Sequence, residues 1–113
     1  MAQVIRLADR KKRGAPVYFN RAELNALLAV YSRFVAKGEW RDYGIAHEPG
    51  MARFSVHRHT HETAQYTVVK LAPRGPNAAP EYLLFEGDKR IRRSTSLLDL
   101  LNLFDKPVRL ISS

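Results

Sequence analysis

The 113-residue sequence predicts a small α+β domain: a mainly antiparallel meander packed against one long amphipathic helix, followed by a short helix and a terminal strand. Three observations carry this reading. An apolar stripe at helical spacing runs over 24–35, strand-like alternation takes over from Tyr43, and Pro, Gly and Asn residues divide the rest into short runs. The length fits a single domain able to bury roughly two thirds of the surface it exposes when unfolded. An apolar fraction of 45% and a charged fraction of 27% lie near globular averages, so a core is to be expected.

Residues 1–14 read as a basic flexible tail, and the folded domain as 15–113. Pro16-Val17-Tyr18-Phe19 is an extended lead-in. Asn20 then caps a helix whose third residue is Glu23, the pattern of a capping box. Leu24, Leu27, Leu28, Tyr31, Phe34 and Val35 recur at i, i+3, i+4 and i+7, the spacing of one apolar face. Burying those six side chains supplies on the order of 10 kcal/mol before the opposing entropy is counted. Gly38 provides the left-handed stop.

Strands are expected near 42–47, 51–59, 64–72, 80–86 and 89–93, separated by turns at Glu48-Pro49-Gly50, Pro73-Arg74-Gly75-Pro76-Asn77 and Gly87-Asp88. Ser96 with Asp99 makes a capping box for a second helix from Leu97 to Phe104. Leu97, Leu98, Leu100, Leu101 and Leu103 leave that helix apolar on most sides, so it must be deeply buried or covered by a partner. Pro107 ends it and suits the first residue of an edge strand over 107–111.

Composition excludes several classes. There is no cysteine, hence no disulfide framework, thiolate metal site or thiol nucleophile. The amino terminus lacks the apolar core of a signal peptide and no run approaches a membrane span, which points to the cytoplasm and away from membranes. Lys and Arg outnumber Asp and Glu by 19 to 11, a net charge of +8, which favours acidic partners. Half of that charge lies on residues 1–14, where Arg6, Arg10, Lys11, Lys12 and Arg13 face only Asp9.

The ordered string Phe19-Asn20-Arg21-x-Glu23-Leu24, then Tyr31, Val35-Ala36-x-Gly38-Glu39-Trp40-Arg41-Asp42-Tyr43-x-Ile45 and Phe54-Ser55-Val56, resembles a family of short bacterial proteins classed only as a domain of unknown function. The likeness runs from about 16 to 111 and is weakest between His57 and Pro80. It implies a small cytoplasmic stand-alone domain and carries over no catalytic residue.

Three constellations are candidates for chemistry. His57-x-His59-x-His61, with His47 nearby, puts three imidazoles on one face of a strand, a spacing that can clasp a divalent ion. Arg53 and Arg58 beside them, and Glu62 as the only close carboxylate, favour plain surface histidines instead. The second is the hairpin Glu81–Glu86/Lys89–Arg93. A two-residue loop pairs Glu86 with Lys89, Phe85 with Arg90, Leu84 with Ile91 and Leu83 with Arg92. That register groups Phe85 and Leu83 with Arg90 and Arg92, next to Arg93, an apolar and guanidinium mixture suited to bases and phosphates. The bland alternative is an edge hairpin whose arginines prevent aggregation. The third is Glu39-Trp40-Arg41, readable as a ligand clamp for flat or anionic groups, or as a tryptophan packed on the core between paired charges.

No nucleophile–base set, phosphate-binding glycine loop or spaced carboxylate pair is present, so the chain reads as a non-enzyme without cofactors or metals. The expected function is nucleic-acid binding through Arg10, Lys11, Lys12, Arg13, Phe85, Arg90, Arg92 and Arg93. The alternative is a protein-interaction adaptor or homodimer using the leucine-rich terminal helix, and the remotest is a His-based metalloenzyme.

Overall fold

A computed structural model describes residues 16–59 and 63–105; the tail at 1–14, His61, Glu62 and the strand expected over 107–111 lie outside the described residues. Helix α1 spans Arg21–Ala36. Its capping box is complete: Asn20 Oδ1 accepts from the Glu23 N–H, and Glu23 Oε1 accepts from the Asn20 N–H, both at 2.8 Å. At the other end Gly38 takes φ +76° and donates its N–H to Val35 O at 2.9 Å, while Glu39 N–H reaches Phe34 O. Only glycine adopts that backbone cheaply, so the helix stops there.

Five strands follow, β1 (Asp42–Glu48), β2 (Met51–His57), β3 (Tyr66–Leu71), β4 (Glu81–Glu86) and β5 (Lys89–Ser94). They pair antiparallel in the order β1-β2-β3-β4-β5, which is the expected meander. Helix α2 (Leu97–Leu101) continues as a single 3-10 turn, Asn102–Phe104. Its cap is half the expected box: Ser96 Oγ accepts from the Asp99 N–H at 3.2 Å.

Both helices lie on one face of the sheet. There Ala52, Phe54 and Val56 of β2, Val68 of β3 and Leu84 of β4 are buried against Leu27, Val30, Leu97, Leu100 and Leu101. Trp40 closes one end, only 3% exposed, stacked on Phe34 at 4.4 Å with Phe104 edge-on at 5.5 Å. The opposite face has a smaller buried cluster of Met51, Val69, Leu71 and Leu83, with Phe85 beside it. Two apolar faces explain the consecutive buried pairs Val68-Val69 and Leu83-Leu84, which break simple alternation.

Three expectations change. Leu27 and Val30 are the buried residues of α1's apolar side, whereas Leu24, Leu28 and Tyr31 are half-buried and Val35 is exposed. The six stripe residues therefore do not form one buried face: four of them, Leu24, Leu28, Tyr31 and Val35, make an incompletely covered row whose Tyr31 ring meets Tyr43 of β1. The terminal helix buries Leu97, Leu100 and Leu101 and leaves Leu98 alone in solvent, so it presents no continuous leucine surface. In the last hairpin the register slips between Leu84 and Phe85. Phe85 pairs with Arg90, but Leu84 pairs with Arg92 and Leu83 with Arg93, because Ile91 is an extra residue bulged out of the ladder.

Candidate interaction surface

The bulge decides the fate of the arginine cluster. Arg90 stays on the face of Phe85, and Arg93 shares that face opposite Leu83, but its Nε lies 3.1 Å from Glu81. Arg92, opposite Leu84, passes to the helix side and is half-buried. One inserted residue has split the group between two faces and paired one member internally. Over the described residues, twelve Lys and Arg stand against nine Asp and Glu, 12 − 9 = +3 of the chain's +8. Arg33, Arg53, Lys70 and Arg93 are in ion pairs. Most of the surplus charge, including Arg10, Lys11, Lys12 and Arg13, lies outside the described residues.

The other constellations disperse as well. His57 sits on the sheet face opposite the helices, across from Asp42, while His47 turns to the helix side with its ring 4.6 Å from Tyr18. His59 lies beyond the end of β2. Among the described residues no group of three or more His, Cys, Asp or Glu side chains is placed to hold a metal ion. In the Glu39-Trp40-Arg41 segment the indole is buried against Phe34 and Phe104 while its neighbours are exposed. The flat wall of the clamp is therefore part of the core.

One polar cluster was not legible in the sequence. Glu23, 9% exposed, accepts from Lys70 Nζ at 2.8 Å and from the Tyr82 phenol, and Lys70 also donates to Tyr18 O at 2.9 Å. Burial pushes the Glu23 carboxyl up, but hydrogen bonds from Lys70, Tyr82 and the Asn20 N–H outweigh it and hold the pKa below the usual carboxylate range. Burial and the adjacent carboxylate raise the Tyr82 phenol above its ordinary value. Glu23 thus stays ionised and Tyr82 protonated at neutral pH. The cluster ties the first turn of α1 to β3 and β4 and has no group poised to exchange a proton there. The void beneath Trp40, bounded by Phe54, Val68 and Phe104, measures about 10 Å³, at or below what one water needs.

The exposed large apolar side chains are Tyr18, Val35, Tyr43, Ile45, Ile91 and Leu98, and two of them, Tyr43 and Ile45, are neighbours on β1. This strand is an edge of the described sheet, and its register with Val56 and Phe54 turns Tyr43 and Ile45 to the helix side. Tyr43 is 40% and Ile45 38% exposed, with Val35 of α1 at 41%. Tyr43 is not loose: its ring meets Tyr31 edge-on at 4.9 Å and stacks on Phe54 at 5.5 Å. On α1, Leu24, Leu28 and Tyr31 are half-buried and packed against the core, and the Tyr31 ring brings this incompletely covered flank into contact with β1 at Tyr43. The two sheet edges are treated in opposite ways. β5 carries three arginines and a bulge, both of which discourage pairing, whereas Tyr43-Gly44-Ile45-Ala46 has no charge, proline or bulge. The absence of a charge from 43–46, between Asp42 and Glu48, was the available sequence signal.

A small α+β domain with an open edge strand is what the fold and surface define. The chain belongs to the family described as protein of unknown function DUF2794, whose model matches residues 17–101. No curated protein and no solved structure matches the chain. No helix among the described residues is long and apolar enough to cross a membrane.

Proposed function

We propose that this protein is a non-catalytic interaction domain of the cytoplasm that binds an extended polypeptide segment along β1. The observation that carries this reading is the uncharged, exposed edge Tyr43–Ala46 beside a half-covered apolar helix flank. An added strand would gain main-chain hydrogen bonds from the edge and specificity from side chains seated against Tyr43, Ile45 and Val35. A photoreactive residue at position 45, compared with one at position 98 on the terminal helix, tests it in cells. Cross-links from 45 but not from 98 are expected. Equal labelling, or none from 45, would remove the reading.

A second reading, nucleic-acid binding, is favoured by the charge distribution: the surplus concentrates in and near the run Arg10-Lys11-Lys12-Arg13. On this reading the tail, not the hairpin, carries the affinity. Removing residues 1–14 should abolish binding to RNA and DNA fragments at about 50 mM salt, where phosphate contacts are strongest, whereas Arg92→Ala should leave it within about twofold. Binding that survives the truncation would refute it.

A further inference from the structure

We infer that the segment taken up by β1 is the β1 strand of a second copy of this chain, paired antiparallel about a two-fold axis through Gly44. This inference rests on the interaction reading above and names its partner. The usable length of the edge selects the register. At the Glu48 end the lead-in already occupies the strand: Val17 N–H donates to Glu48 O at 3.1 Å, and Tyr18 lies over His47. What stays open among the described residues is 42–46, five residues with Gly44 at their centre.

Pairing about Gly44 sets Tyr43 opposite Ile45 of the second copy, twice by symmetry, on the helix side, and Asp42 opposite Ala46 on the other. Aromatic against β-branched residues is among the favourable cross-strand pairs, and no like charges meet. Pairing about Ile45 instead would oppose Asp42 to Glu48 and drive Tyr43 toward His47, whose ring already contacts Tyr18. Self-complementarity is what a two-fold interface requires, and the open segment has it about Gly44. On the axis, a side chain added at Gly44 meets nothing within 4 Å, so a cysteine fits there to report the register. In the joined sheet the second copy's strand lies next to Tyr43, the residue that Tyr31 of α1 meets. The contact falls below the roughly 800 Å² per partner of a standard interface, so the dimer should be of micromolar strength and dissociate on dilution.

The test uses the full chain. Sedimentation across about 1 µM to 1 mM, a range that brackets micromolar dissociation constants, should show a mass rising from 12.9 kDa toward twice that value. Ile45→Lys, which places a lysine on the exposed edge, should stay monomeric with an unchanged thermal midpoint, whereas Leu98→Lys should still dimerise. Since the chain lacks cysteine, single introduced thiols report the register. Gly44→Cys should form a disulfide dimer at least about tenfold faster than Ile45→Cys or Leu98→Cys, because only residues facing themselves across the axis reach the Cα separation of about 4.4–6.8 Å that a disulfide needs. A monomer throughout, a dimer indifferent to Ile45→Lys, or fastest oxidation at 45 or 98 would overturn the inference. A monomer whose position 45 still cross-links to another protein would sink the second copy and spare the interaction reading. A monomer with no cross-link at 45 would sink both.

Discussion

The phenol of Tyr82 donates to Oε2 of Glu23, joining the first turn of α1 to strand β4 across 59 positions of sequence. The same carboxylate caps its own helix and receives Lys70, so one side chain fixes the helix N-terminus in three directions. Tyr82→Phe leaves a buried carboxylate oxygen short of a donor and should cost about 1–3 kcal/mol. Glu23→Ala leaves Lys70, whose side chain is 13% exposed, without its counter-charge and should cost about 3–5 kcal/mol. Urea denaturation measures both; a Glu23→Ala loss no larger than that of Tyr82→Phe would show that the ion pair contributes little.

The pH dependence follows from the directions of the two shifts. The Glu23 pKa is lowered on folding, so its contribution is present above the unfolded carboxylate pKa of about 4.3 and is lost as pH falls below it toward the folded value. The Tyr82 pKa is raised, so its contribution is present below the unfolded phenol pKa of about 10 and is lost as pH rises beyond it. Thermal midpoints should be flat between these limits and decline on both sides. Tyr82→Phe should flatten the alkaline decline; an unchanged alkaline limb would assign it to other groups.

Trp40 is the only tryptophan and is held by Phe34 and Phe104. Its fluorescence should be blue-shifted and shielded from acrylamide, moving to longer wavelength in one step with unfolding. Phe34→Ala removes the stacking partner and opens a cavity, with an expected loss of about 3–5 kcal/mol. Exposed-indole fluorescence from the native protein would contradict the packing.

The terminal helix offers a matched pair. Leu100 is fully buried and Leu98 is 67% exposed. Leu100→Ala should cost about 2–5 kcal/mol, and Leu98→Ala should stay within about 0.5 kcal/mol of the parent. Similar losses for both would mean that something covers Leu98 in solution.

Much of the fold was written in local chemistry. Asn20 and Glu23, Gly38, and the Gly87-Asp88 turn each specify a backbone conformation within a few residues, and each is found where expected. The surface was less legible for a physical reason. Whether Arg92 pairs with Leu84 or with Leu83 depends on one bulged residue, and a slip of one position reverses a strand's faces. The Glu23–Lys70–Tyr82 cluster joins three elements, and no spacing along the chain announces it. Periodicity placed Leu27 in the helix stripe but left out Val30, which is buried, and could not tell Leu27 from the incompletely covered Leu24, Leu28, Tyr31 and Val35.

The order of elements also sets what a ribosome must manage. α1 is made before every strand, and its anchor at Tyr82 emerges 59 residues later, an interval of about 3–12 s at ordinary rates of synthesis. For those seconds a leucine-rich amphipathic segment has only part of its packing, from Trp40, Tyr43 and the first strands, the kind of nascent surface that holding chaperones recognise. The strands themselves impose no comparable wait, since each finds its neighbour in the segment just completed.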